Sequence, residues 1–139
     1  MNPFQSLHEY EEFVYTLPNH YPSIQSSTLV VARRGAKVAD LAGELMFEQG
    51  VRLVIHEQFT FFDGPITLRR YSYAVWRGDE RLYWYDPQPH PDNPALASTH
   101  PHHQHVPPDI KHNRIPAPGL SFSQPNLPFL IREIEQLVP

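Results

Sequence analysis

Between Leu41 and Phe59 apolar side chains fill seven of the ten odd-numbered positions, and no other property of this 139-residue chain limits its fold as much. Leu41, Leu45 and Phe47 alternate with Ala42, Glu44 and Glu48; after a turn at Gly50 the pattern resumes with Val51, Leu53, Ile55 and Phe59. A period of two belongs to strands with one buried and one wet face. The run TLVVARR, from Thr28, supplies an earlier strand, and ITLRRYSYAVWRGDERLYWYD reads as a second hairpin turning at Gly78-Asp79. Strict alternation there puts Ile66, Leu68, Ser72, Ala74 and Trp76 on one face, and Thr67, Arg69, Tyr71, Tyr73 and Val75 on the other. Five strands with short connections over 28–86 make an antiparallel meander.

The flanks follow a different period. Over 6–17, Leu7, Tyr10, Phe13, Val14 and Leu17 are spaced for a helix, with Ser6 as cap, Glu9 completing a capping box and Pro18 as the stop. Over 126–138, Leu127, Leu130, Ile131, Ile134 and Leu137 form a second helical stripe behind Asn126 as cap. Between them, 87–125 has no sustained period. Eleven of the sixteen prolines and six of the nine histidines lie from Pro87 to Pro128, so a Pro/His-rich loop is expected there. The order helix, meander, loop, helix predicts one α+β domain over 1–139, with the C-terminal helix packed on the sheet.

Composition narrows the function. The chain has no cysteine, which excludes disulfides and thiolate metal sites. No apolar run approaches the roughly 20 residues that cross a bilayer, and the acidic N-terminus lacks a signal-peptide layout, so a cytoplasmic prokaryotic protein away from the membrane is expected. A net charge of −4 disfavours a strong nonspecific grip on nucleic acid. Eight of the eleven Lys and Arg residues, however, fall from Arg33 to Arg81, which allows a local basic face.

The sequence HPHHQHVPP at 100–108 concentrates imidazoles. One reading is a metal site. Alternate residues of an extended segment point the same way, pairing His103 with His105, or His100 with His102. His56, His90 or His112 would then be a third ligand, and no spaced carboxylate accompanies the cluster. A second reading is proton transfer, since imidazole titrates near neutral pH. Cleaving RNA without a metal requires a base for the 2′-hydroxyl, an acid for the leaving 5′-oxygen and a cation for the phosphorane, and His, Tyr and Arg can meet these needs. A third is a wet polyproline-like loop. Along the second hairpin, Arg69, Tyr71 and Tyr73 form one row and Arg81, Tyr83 and Tyr85 another, an arrangement that can stack bases and pair phosphates or simply face a sheet to water. His56, in mid-strand, is expected to be half-buried.

The succession GVRLVIHEQF, RRYSYAVW, ERLYWYD, PHP and HPHHQHV resembles the TumE-type toxins of bacterial and archaeal toxin–antitoxin systems. The resemblance covers Leu45 to Leu137 and is carried most specifically by Tyr71, Ser72, Tyr73, Asp86, His90, His102, His103 and His105. Two departures stand out. The family strand continues Tyr-Ser-Tyr-His where this chain has Ala74, and one of two adjacent histidines is missing from DPQPHPDNPAL. The resemblance implies a toxin with a small antitoxin partner. The order of a helix followed by an antiparallel sheet is also similar to that of small ribonucleases, an analogy of fold alone.

Taken together, these readings predict a metal-independent, cofactor-free endoribonuclease toxin. His102, His103 and His105 would supply acid and base, and Arg69 or Arg70 would stabilise the phosphate beside Tyr71. Tyr73, Tyr83, Tyr85 and His90 would contact RNA. A small antitoxin, RNA and a second copy of the chain are the partners considered. The alternative is a noncatalytic, degenerate relative whose His100, His102, His103 and His105 hold metal or a partner. Either reading requires the histidine arm to dock beside the arginine-bearing strand.

Overall fold

A computed structural model describes residues 2–62 and 64–138. The N-terminal stripe folds as α1 (Leu7–Tyr15). Ser6 Oγ accepts from the Glu9 backbone N–H at 3.1 Å, the N-cap half of the expected box, while Glu9 Oε2 makes no hydrogen bond among the described residues. Pro18 does not end helical structure. It occupies the first turn of a short α2 (Leu17–His20), where a missing N–H costs nothing.

Among the described residues the sheet has eight strands, not five. They are β1 (Ser26–Ser27), β2 (Val30–Arg33), β3 (Val38–Met46), β4 (Val51–Thr60), β5 (Thr67–Arg77), β6 (Glu80–Asp86), β7 (His103–His105) and β8 (Arg114–Pro116). Their order is β1-β3-β4-β5-β6-β7-β8, antiparallel throughout, with β2 also paired to β3. The additional strands are β1, at one edge, and β7 and β8, which bring the Pro/His-rich segment into the ladder. A three-residue strand is too short to show a period, so sequence alone reads it as loop. The edge breaks between β1 and β2 at Gly43. This residue has φ +141°, and a Cβ there would lie 2.6 Å from the Thr28 carbonyl oxygen.

The alternation in β3 and β4 is realised: Leu41, Leu45, Val51, Leu53, Ile55 and Phe59 are all buried. The expected faces of β5 are not. A β-bulge pairs Gln58 with Arg70 and Phe59 with Leu68, leaving Arg69 extra. The parity therefore reverses, and Leu68, Tyr71, Tyr73 and Val75 all turn inward. His56 is exposed rather than half-buried, because it lies opposite in parity to Ile55 and Glu57.

Both helices cover the same sheet face. Tyr10 of α1 packs edge-on against Phe59 of β4. On α3 (Leu127–Leu137), Glu133 accepts the Tyr85 hydroxyl of β6 at 2.9 Å. Leu127, Leu130, Ile131 and Ile134 are buried, while Leu137 is exposed at the helix end. Asn126 does not cap α3 with its side chain. Its Nδ2 instead donates to the Tyr73 hydroxyl at 3.1 Å and the Ser121 carbonyl at 3.0 Å, tying the loop to the sheet. Among the described residues, no helix is long and apolar enough to cross a membrane.

Candidate functional site

The histidine arm docks. By pairing with β6, β7 aligns Trp84 with His105, Tyr85 with Gln104 and Asp86 with His103. Since neighbouring strand residues point to opposite faces, the arm divides its imidazoles between the two sides of the sheet.

On the helix side, His102 Nδ1 lies 2.6 Å from the Tyr71 hydroxyl. The two rings are nearly parallel, with centroids 5.8 Å apart, and Phe122 packs against His102 at 4.5 Å. The Thr99 hydroxyl donates to the His102 carbonyl at 2.7 Å and accepts the Ala117 N–H at 3.0 Å, fixing the approach of the arm. Burial, helped by the charge of Asp86, pushes the Tyr71 phenol well above its ordinary range. Burial first, and then His103, lowers His102 below the usual imidazole value. At neutral pH the pair is therefore a protonated phenol and a neutral imidazole, able to pass a proton between solvent and a ligand.

On the opposite side, Asp86 Oδ1 lies 3.0 Å from His103 Nε2, and its Oδ2 lies 3.0 Å from His105 Nε2. The two Nε2 atoms are 3.1 Å apart. The carboxylate that the sequence did not reveal is thus Asp86, delivered by strand pairing from the end of β6. Burial alone would raise the Asp86 pKa. The adjacent His103 ring, together with hydrogen bonds from the Gln88 N–H at 2.9 Å and the Trp84 indole at 2.8 Å, instead holds it well below the usual carboxylate range. Trp84 also stacks on His105 at 3.7 Å and carries the Arg81 guanidinium 4.0 Å from its centroid.

Arg69 and Arg70, displaced at the bulge, line an open groove of about 650 Å³ with Tyr71, Asp86, Pro101 and Phe122. This groove shares Pro89 with a second one of about 390 Å³, lined by His90 and Arg114. The structure thus gathers Arg69, Arg70, Tyr71, His102 and Asp86, with His90 near His103 at 4.9 Å between ring centroids. His103 and His105 are buried, their Nε2 atoms turned toward Asp86. Tyr73, Tyr83 and Tyr85 are core residues, because their parity faces the helices. His100 is exposed, and His112 pairs with Asp109 at the surface.

Beneath the site, Glu57 is fully buried and accepts the hydroxyls of Tyr10 and Tyr73 at 2.5 Å each. Burial raises its pKa to about 7, although the two tyrosine hydrogen bonds oppose the shift. A carboxylate between Ile55 and Phe59 in a strict alternation is the sequence signal for this inward position.

No curated protein and no solved structure matches the chain. A protein-family model described as Toxin TumE matches residues 14–138. That span takes in all eight strands, the docked histidine arm and α3, and on it the chain belongs to the TumE toxin family.

Proposed function

We propose that this chain is the toxin of a toxin–antitoxin pair and that it cleaves RNA by proton transfer in the groove between β5 and the histidine arm. The observation that carries the reading is the 2.6 Å contact between Tyr71 and His102 beside a groove that holds Arg69 and Arg70. In this reaction the ribose 2′-oxygen attacks phosphorus, and the bond from phosphorus to the 5′-oxygen breaks. The products are a 2′,3′-cyclic phosphate and a free 5′-hydroxyl. His102 takes the 2′-hydroxyl proton while Tyr71 orients its ring, and the leaving oxygen takes a proton from water in the open groove. Arg69 and Arg70 stabilise the charge gathering on the phosphorane. Arg114, reached through the second groove, offers a further guanidinium to the next phosphates. His103 and His105 act as positioning residues in this scheme, because burial keeps them from the substrate. The antitoxin is a small protein that masks the arginine-lined groove.

The test combines induced expression in a bacterium with an assay of purified protein on end-labelled RNA in excess chelator. Wild-type protein should arrest growth and cut RNA. His102→Ala should slow cutting by about 100-fold or more, the usual share of a general base. The His102→Ala/His103→Ala double variant should relieve the arrest. RNA left intact by wild-type protein, or cut at an undiminished rate by His102→Ala, refutes the reading.

A further inference from the structure

We propose that Asp86, His103 and His105 form a binding site for one divalent first-row transition cation, with zinc the best-suited ion. The RNA-cleavage reading needs no metal; the two share Asp86, which lines the groove, and the positioning role of His103 and His105.

The far nitrogen of each ring is held by a backbone carbonyl. His103 Nδ1 faces the Pro101 carbonyl at 3.1 Å, and His105 Nδ1 faces the Ile110 carbonyl at 3.0 Å. A carbonyl oxygen can only accept, so both Nδ1 atoms carry hydrogen. In the neutral rings both Nε2 atoms are therefore bare lone pairs. They lie 3.1 Å from each other and 3.0 Å from the two Asp86 oxygens. Four acceptor atoms thus converge; the Trp84 indole and the Gln88 N–H donate to Asp86 alone, and among the described residues no donor reaches the two Nε2 lone pairs. Among the described residues, no Lys or Arg forms an ion pair with Asp86. Such a cluster calls for a cation.

Geometry favours a metal ion. Tetrahedral zinc with bonds of about 2.0–2.1 Å sets its ligand atoms about 3.3 Å apart. The observed separations need expand by only a few tenths of an ångström, within the reach of side-chain adjustment. Two imidazoles and one carboxylate form a donor set that suits borderline ions and leaves a coordination position open. The outer layer is also built. Backbone carbonyls fix both ring tautomers, and the Trp84 indole donates to Asp86 Oδ2 while its ring covers His105. A proton shared among the same atoms is the competing cation, and the experiment separates the two.

Untagged full-length protein, stripped with chelator, is titrated with zinc chloride in a calorimeter and with cobalt(II) in a spectrophotometer. We expect one ion per chain, submicromolar affinity for zinc, a rise in melting temperature and the visible absorption of cobalt in a low-coordinate nitrogen and oxygen site. Asp86→Asn, which preserves shape and an acceptor for the indole, should weaken zinc binding at least tenfold, as should His103→Ala. A His112→Ala variant should bind as wild type, excluding the surface Asp109 pair. Far-ultraviolet circular dichroism checks that each variant is folded. Absence of saturable binding to wild-type protein overturns the proposal in favour of the shared proton. Equal affinity in folded Asp86→Asn overturns the ligand set.

Discussion

Replacing Glu57 with Gln should flatten the dependence of stability on pH. The carboxyl titrates at about 7 in the folded protein against an ordinary 4.5, chiefly because it is fully buried. Between those values the native state keeps a proton that the unfolded chain has released. The contribution to stability is therefore fully present below about 4.5 and is lost as pH rises through about 7. Applied to these two values, linkage gives a loss of about 2.5 kcal/mol between pH 5 and pH 8. The groups facing Glu57 are the Tyr10 and Tyr73 hydroxyls, both held well above the ordinary phenol range by burial, so neither titrates in this window. His102 and His105, whose pKa values burial lowers, act in the opposite direction, adding stability as pH rises through about 6.5. Their contribution is common to wild type and Glu57→Gln, so the difference between the two proteins isolates Glu57. The amide can accept one tyrosine hydroxyl and donate to the other, which keeps both satisfied. Urea unfolding followed by tryptophan fluorescence, with a slope of about 2 kcal/mol per molar, should show the wild-type midpoint falling about 1 M further than that of the variant between pH 5 and pH 8. Parallel profiles would refute a carboxyl with a raised pKa.

Other positions give sharp expectations. Gly43→Ala should cost about 2–4 kcal/mol in urea unfolding, because the new methyl meets Thr28 backbone at a φ that side chains avoid. Tyr71→Phe should cost about 1 kcal/mol and speed amide exchange at His102 to His105, since the hydroxyl is the contact between β5 and the arm on the helix side. Asn126→Ala should destabilise by about 2–3 kcal/mol, measured by the same unfolding curves, as it leaves buried partners on Tyr73 and Ser121 unmatched. Asp86 has a lowered pKa, so its contribution is present above about 4 and lost as pH falls through the carboxylate range. Asp86→Asn should accordingly flatten the acid limb of a melting-temperature profile.

What could be read in the sequence follows from how far each signal extends along the chain. The β3–β4 hairpin announces itself because one face is apolar but for Gly43 and Glu57, and α1 because its N-cap and stripe agree. The faces of β5 depart from strict alternation for a definite reason: one extra residue at Arg69 reverses the parity, and a bulge leaves no mark in composition. The tyrosine rows lie inside on that account, together with the placement of α3 over β6. Strand β7 is not legible because three residues between prolines carry no period. Asp86 could not be joined to His103 and His105 without knowing that β6 and β7 pair. The chemistry-bearing residues were legible one by one, and their neighbours were not.

From β3 onward each strand joins the strand translated just before it. A nascent polypeptide that has emerged only as far as Asp86 can already lay down its first six strands, but it lacks every imidazole that meets Tyr71 or Asp86. The edge of β6 is then a vacant berth, and the arm that fills it arrives later in synthesis. A product ending at Asp86 would lack the wall of the groove that Pro101 and Phe122 supply, and the groove closes only once the arm has followed β6 out of the ribosome.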